Sequence, residues 1–294
     1  MQIKSFCQLL RPQQWIKNGF VFLPIFFGRS LFDANVWVDA IVTFFAFCAI
    51  ASAVYCMNDI RDVDSDRHHP KKCKRPIAAG KISIAQAWVT FVILIAVSAV
   101  LSLLCIDRPA GYYVGLILLT YFVLNIAYTF GFKKVAILDV FIIAIGFVLR
   151  LTAGGIAENI TLSPWIVLMT FLLALFLAFA KRRDDVIMYE QEGQLMRASV
   201  KNYNSQYMNA TLGILASVTI VCYIMFCVSA EVVARMGNSL VYISSIFVIA
   251  GILRYLQIAI VKKESGSPTS VVIHDRFLQT CILLWLAFFF FILY

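Results

Sequence analysis

Runs of about twenty apolar residues recur along the whole chain, and no other feature limits its fold so severely. Residues 38–57, 84–105, 111–130 and 240–261 are each long enough to cross a hydrocarbon core. In lipid every backbone N–H and C=O must find a partner within the protein, which leaves helices or closed barrels. The runs lack the period-two alternation of barrel strands, so helices are expected. The balance of 62% hydrophobic against 14% charged residues excludes one water-soluble domain.

Reading forward, spans are expected near 16–32, 38–57, 84–105, 111–130, 136–155, 164–180, 206–229, 240–261 and 274–293. The fold class is therefore all-alpha: a polytopic transmembrane helical bundle of about nine spans, with 1–294 as a single membrane-embedded catalytic domain. The first span is interrupted by Pro24, Gly28 and Arg29, and a count of eight would put both termini on one side. Alternate connections are strongly basic: Lys4, Arg11 and Lys17; Arg61 to Lys81; Lys133 and Lys134; Lys181 to Lys201; Lys262 and Lys263. The others carry only Arg29, Arg108 and Arg235, so the basic side is cytoplasmic and the N-terminus lies there. The net charge of +9 is a property of that face; it suits anionic headgroups or a phosphate-bearing substrate and does not call for nucleic acid. The opening residues form a short amphipathic stretch with Trp15 as an interfacial anchor, without the cleavage site of a signal peptide. Eight cysteines show no metal-ligand spacing and read as small buried residues.

Chemistry is then expected in the cytoplasmic segments 58–83 and 181–205. The first begins Asn58-Asp59-Ile60-Arg61-Asp62-Val63-Asp64-Ser65-Asp66-Arg67, directly after an apolar run. On a helix Asn58, Asp62 and Asp66 share a face, with Asp59 beside it. Such oxygen ligands suit Mg²⁺, which keeps several waters and bridges to substrate phosphates. The competing reading is a solvated loop whose acids are neutralised by Arg61 and Arg67. An EF-hand is excluded, because the glycine and terminal glutamate of its loop are missing. Downstream, Lys72 and Arg75 could hold phosphate oxygens while Pro70 and Pro76 stiffen the loop, although ordinary positive-inside charge explains the stretch equally well. His68 and His69 read as loop or phosphate contacts.

A second constellation, Lys181-Arg182-Arg183-Asp184-Asp185, closes the sixth expected span. Acids at the C-terminal end of a helix need a reason. Pairing with the adjacent bases is one; a second metal-phosphate site facing the first across an inward-opening polar cavity is the other. Arg150, Asp139, Arg254 and Asp275 lie at helix depth, where ionisable groups are costly unless paired or hydrated. Tyr128, Tyr203 and Tyr207 could add hydroxyl donors.

The segment NDIRDVDSDRHHPKKCKRP, from Asn58 to Pro76, with Ile77-Ala78-Ala79-Gly80 after it, resembles the first signature of the UbiA-like intramembrane prenyltransferase superfamily. Within it, Arg11-Pro12-Gln13-Gln14-Trp15-Ile16-Lys17-Asn18 and the Lys181-Arg182 pair followed by Asp185 are similar to the decaprenyl-phosphate phosphoribosyltransferases. Those enzymes usually carry glutamate where this chain has Asp185. The resemblance implies Mg²⁺ held by Asn58, Asp59, Asp62 and Asp66, and transfer of 5-phosphoribose from phosphoribosyl pyrophosphate to a polyprenyl phosphate. It further implies Asp59, Asp62, Asp66, Lys181 and Asp185 as catalytic groups, with Lys17, Asn58, Lys72, Arg75 and Arg182 contacting substrates; Arg150, from its helix depth, and Tyr128, through its hydroxyl, are further substrate-contact candidates. A bacterial inner membrane and a role in envelope polysaccharide supply come with it. The alternative within the superfamily is prenyl transfer from a diphosphate to an aromatic acceptor, whose second DxxxD motif Asp184, Asp185 and Glu190 reproduce poorly. A transporter of anionic lipids lacks support from any internal repeat. A non-catalytic scaffold leaves the aspartates unexplained.

Overall fold

The computed structural model describes residues 2–68, 72–104, 109–193, 198–262 and 268–294. His69, Pro70, Lys71, Cys105, Arg108, Arg197 and Lys263, which figure in the reading above, lie outside the described residues.

All regular structure among the described residues is helical, with thirteen α-helices: α1 (Gln2–Leu10), α2 (Leu23–Phe27), α3 (Ala34–Arg61), α4 (Val63–Arg67), α5 (Ile84–Leu104), α6 (Ala110–Phe130), α7 (Leu138–Ala157), α8 (Pro164–Glu192), α9 (Ser205–Val228), α10 (Ala230–Met236), α11 (Ser245–Gln257), α12 (Pro268–His274) and α13 (Arg276–Leu293). Eight helical segments among the described residues are long and apolar enough to cross a membrane, beginning at Ala34, Ile84, Ala110, Leu138, Pro164, Ser205, Ser239 and Arg276. The chain is thus a polytopic helical membrane protein. Side chains such as Val89, Val92 and Ile93 on α5 stand more than half exposed, a surface that only lipid or another protein can cover at low cost. The helices group into two compact units, 1–130 with 146–162 and 131–145 with 163–294.

The count differs from the expected nine at the first span. Residues Pro12–Phe22 wind as a 3-10 helix that passes into the five-residue α2. It nevertheless travels the length of α3 in the opposite direction. Arg11 meets Asp59, Trp15 and Leu10 meet Ser52, Asn18 meets Cys48, Phe22 stacks on Phe44, and Leu31 accepts from Trp37. From Asp59 to Trp37 the helix axis covers roughly 33 Å at about 1.5 Å per residue, a hydrocarbon thickness. Eleven residues rising about 2 Å each account for roughly 22 Å of it. The first passage is a real crossing of the unit in a winding that apolar periodicity does not reveal, and Trp15 anchors it on α3 through the Ser52 hydroxyl at 3.1 Å.

In this N-terminal unit α3 is the axis, buried along most of its length and rich in Ala46, Ala49, Ala51, Ser52 and Ala53, whose small side chains let neighbouring backbones approach. α5 runs antiparallel to it: Ala87 joins the cluster of Leu9, Cys56, Val63, Ile77 and Ile82, while Ser98 donates to the Ala46 carbonyl at 3.0 Å. At Gly154 the backbone of the first passage comes so near that an added Cβ would stand 2.1 Å from the Val21 carbonyl oxygen, so only glycine fits.

The C-terminal unit gains its order from caps. Ser163 caps α8 by accepting from Ile166 N–H with Pro164 in the first turn, and Gly193, at φ 67, ends it. Asn204 and Asp275 cap α9 and α13 in the same way. Asp275 also receives a forked pair from Arg254, at 2.7 Å from Nη2 and 3.1 Å from Nε, which ties α11 to α13 and holds the aspartate below the usual carboxylate range. α8 corrects one expected boundary: it continues to Glu192 rather than stopping near 180, because Val186 and Ile187 keep a buried stripe through the charged stretch. Asp184 and Asp185 therefore sit mid-helix, and the helix-end argument for them does not apply.

Candidate functional site

The first charged centre forms where α3 ends. Asp62 leaves helical geometry (φ −91°, ψ 9°) and α4 begins at Val63, yet the Asp62 N–H still bonds to the Asn58 carbonyl and the Asp66 N–H to the Asp62 carbonyl. The i+4 relation expected for Asn58, Asp62 and Asp66 thus survives a one-residue departure. Asp59 and Asp66, 2% exposed each, converge on one cation: Arg75 Nη1 lies 3.0 Å from Asp59 Oδ1 and 2.6 Å from Asp66 Oδ2. Arg11 adds a second, its Nη2 2.5 Å from the same Asp59 oxygen. Arg11 takes a left-handed conformation (φ 53°) at the turn between α1 and the 3-10 helix, and its guanidinium lies 4.9 Å from the centre of the Tyr55 ring. The other Asp59 oxygen, Oδ2, is buried and accepts no hydrogen bond.

That orphaned oxygen bears on the expected metal. Among the described residues no three carboxylate, histidine or cysteine side chains gather as a ready-made cage. Mg²⁺ commonly takes one or two carboxylates and completes its shell with water and substrate phosphate, so an unpaired buried carboxylate oxygen beside Asp66, Asp62 and Asn58 is a donor set that fits it.

Around the aspartates the other residues divide. Arg61 turns away, donating to the Thr129 carbonyl with its guanidinium 4.3 Å from the Phe130 ring centre. Arg67 pairs with Asp64 on the exposed surface at 3.3 Å. Neither neutralises the buried acids, against the solvated-loop reading. Lys72 opens a single 3-10 turn three residues before Arg75 and is half-buried, as are Lys17, Asp62 and Tyr128. Arg150 is not brought to the carboxylates. It lies level with Phe47, twelve residues and roughly 18 Å along α3 from Asp59. There Nε donates to Asn18 Oδ1 at 2.7 Å, Nη1 to the Gly146 carbonyl and Nη2 to the Tyr121 hydroxyl at 2.9 Å, beneath three aromatic rings. No carboxylate among the described residues pairs with it, and it serves as the polar knot that binds the first passage to α6 and α7.

The second charged centre belongs to the C-terminal unit. Arg182, 2% exposed, sets Nε 2.8 Å from Asp139 Oδ2 and Nη1 2.7 Å from Asp185 Oδ2. Asp139 is wholly buried and accepts further bonds from Ser199 at 3.0 Å and the Tyr203 hydroxyl at 3.2 Å. Burial pushes the Tyr203 hydroxyl above the usual phenol range, so it stays a donor to the carboxylate. The same hydroxyl accepts from the N–H of Ile137, a β-branched residue forced to φ 69°, a strain that this contact helps to hold. Lys181 is exposed, and Asp185 keeps its side chain 20% exposed. Arg183, expected only as a neighbour, is buried and donates to Asn209 and to the Ala259 carbonyl at 2.6 Å.

Arg11, Thr129 and Asp139 are the groups that spacing alone did not assign to either centre. Arg11 had a signal, since it opens the RPQQWIKN stretch, and Asp139 had its charge at helix depth; Thr129 had none.

Residues 21–286 match the UbiA prenyltransferase family. A decaprenyl-phosphate phosphoribosyltransferase of Corynebacterium glutamicum is 34% identical over 94% of this chain and 82% of its own length; the enzyme of that name from Mycolicibacterium smegmatis is 32% identical over 97% and 91%. Among solved structures, a UbiA homolog from Archaeoglobus fulgidus bound to DMAPP and Mg²⁺ superposes with a TM-score of 0.70 at 20% identity, covering 98% of this chain and 99% of that one. The shared architecture, the aspartates that follow α3 and this near full-length similarity converge: the chain belongs to the UbiA prenyltransferase family.

Proposed function

We propose that this membrane-embedded transferase moves 5-phosphoribose from phosphoribosyl pyrophosphate to a polyprenyl phosphate of the decaprenyl type and releases pyrophosphate. The observation that carries this reading is the similarity, along nearly the whole chain, to two enzymes named for that transfer. The whole chain is taken as one catalytic domain. Its polar cavity opens to the cytoplasm, and the basic connections support an N-terminus on that side. The bacterial relatives support an inner-membrane location and a place in supplying pentose to the cell envelope.

In this reading Asn58, Asp59, Asp62 and Asp66 would hold Mg²⁺, which would supply charge neutralisation for the departing pyrophosphate. The orphaned Asp59 oxygen supports that role, and the relative whose structure is named for bound Mg²⁺ shares the fold. Arg75 and Arg11, which balance these carboxylates and keep about a quarter of their side chains exposed, would offer further N–H donors to phosphate oxygens, alongside Lys17 and Lys72. An acceptor phosphate oxygen forms the new bond to the anomeric carbon as the bond to pyrophosphate breaks. The acceptor is already anionic, so no general base is needed and positioning is the main task. Attack opposite the leaving group inverts the anomeric centre. Lys181 and Asp185 present a cation and a carboxylate to substrate, with Arg182 fixing Asp185 from behind. The polyprenyl tail stays in an apolar environment throughout.

The test is product formation by detergent-purified protein with Mg²⁺. Phosphoribosyl pyrophosphate plus polyprenyl phosphate is compared with polyprenyl diphosphate plus an aromatic acceptor. Phosphoribosyl-polyprenyl phosphate is expected, reduced by ~10²–10³-fold in Asp62→Asn, as for loss of one group that stabilises developing charge. A prenylated aromatic as sole product would transfer the chain to the other branch of the family.

A further inference from the structure

Thr129, 1% exposed near the end of α6, has one hydroxyl proton and two neighbouring acceptors. Its Oγ1 lies 2.8 Å from the carbonyl of Asn125, one turn back in its own helix, and 2.5 Å from Asn58 Oδ1. The carbonyl can only accept, so that contact forms only with the hydroxyl as donor. With Oδ1 of Asn58 also turned to Thr129, two acceptors contend for one proton and the amide nitrogen has no partner among the described residues. With the amide rotated half a turn, one Nδ2–H donates to Thr129 Oγ1 while the hydroxyl donates to Asn125, and no two acceptors contend for one proton. Oδ1 then faces away from α6, available on the same side as Asp62 one turn later.

The setting holds this geometry firmly. Arg61 donates to the Thr129 carbonyl and lies over Phe130, so the end of α6 is fastened to the end of α3 on both sides of the hydroxyl. Asn125 is itself fixed, its Nδ2 donating to the Tyr121 carbonyl at 2.8 Å.

We propose that Thr129 is a positioning residue for the metal site: its hydroxyl, donating to Asn125, obliges Asn58 to meet it with the amide N–H and thereby aims the amide oxygen at the divalent cation. The assignment rests on the metal role given to Asn58 under the proposed function. An aspartate at position 58 could not make the donor contact, which accounts for an asparagine among so many acids.

The measurement is Mn²⁺ binding followed by electron paramagnetic resonance on detergent-purified full-length protein, with neither donor nor acceptor present. Thr129→Val is expected to weaken Mn²⁺ binding by ~10-fold or more, the usual effect of removing a group that orients a ligand, while Thr129→Ser stays within about 2-fold of wild type. Combined with Asn58→Ala, the valine change should weaken binding no further, because the group it orients is gone. Wild-type affinity in Thr129→Val, or an equal loss with and without Asn58, overturns the assignment even where Asn58→Ala and Asp62→Asn abolish binding. Should Mn²⁺ binding ignore Asn58→Ala and Asp62→Asn as well, the metal reading of this centre falls together with it. If Thr129→Val melts early, the serine variant and the Asn58→Ala background still decide, since a general loss of packing would not vanish when Asn58 is removed.

Discussion

In the N-terminal unit two buried aspartates take their counter-charges from Arg11 and Arg75, guanidiniums that remain about a quarter exposed, and one carboxylate oxygen has no partner at all. In the C-terminal unit the arrangement is inverted: a single buried arginine is enclosed by Asp139 and Asp185, and Asp139 is further satisfied by a serine and a tyrosine. One centre is under-coordinated and bordered by cations that can leave; the other is closed, with only Asp185 reaching its edge. Buried polar groups are costly when unpaired. The open centre is therefore the one to which the proposed function assigns the metal and phosphate contacts, and in the closed centre only Asp185 is offered to substrate.

Several variants can break that contrast. The largest effect belongs to Asp139→Asn, which strips the fully buried one of the two charges facing Arg182 and should cost about 3 kcal/mol of stability. Thermal melting in detergent should fall, and millimolar Mg²⁺ should not restore it. Recovery with Mg²⁺ would mean that the second centre also takes a cation. Arg75→Ala should cost less, about 2 kcal/mol, because Arg11 still faces Asp59 and the lost bonds were partly hydrated. Here Mg²⁺ should restore most of the melting temperature. A loss insensitive to the metal would make Arg75 a strut with no place in a phosphate clamp.

Glu158 sharpens the contrast with a carboxyl that has no cation beside it. It is 6% exposed, and burial, with nearby Asp39 adding to it and the Ile25 backbone N–H opposing only weakly, pushes its pKa from the usual 4.5 to about 9. The folded protein therefore holds this proton more tightly than the unfolded chain. Its contribution is full below about 4.5 and is lost as pH rises toward about 9. Glu158→Gln should flatten the decline in melting temperature over that window. A decline that the glutamine variant leaves unchanged would show that another group titrates there.

The apolar runs announced the eight long helices, and the stacked acids after the second run announced the open centre, because both signals are local. Arg182 with Asp185 was readable for the same reason, three residues apart on one helix. What spacing could not supply were partners distant along the chain: Arg11 for Asp59 across 48 residues, Thr129 for Asn58 across 71, and Asn18 for Arg150 across 132. Arg150 was expected as a substrate contact because an arginine at helix depth needs partners, and the partners it finds within the protein, neutral oxygens and aromatic faces, were likewise distant in sequence. The extension of α8 was hidden because its charges resemble the end of a span, whereas two of its arginines are turned into the protein.

The 3-10 winding of the first passage also governs how its length can change. With three residues per turn, Trp15 and Asn18 share one face and meet Ser52 and Cys48 of α3 in succession, while the Val21 backbone lies against Gly154 of α7. Inserting or deleting a single residue would swing the rest of that face by a third of a turn and carry Asn18 away from Arg150 entirely. Three residues would restore the face but slide it by about 6 Å against its neighbours. No small insertion preserves both rotation and height, so residues 12–22 form a segment of fixed length: substitutions can accumulate on its outward sides, while its residue count is locked to the spacing of the partners along α3.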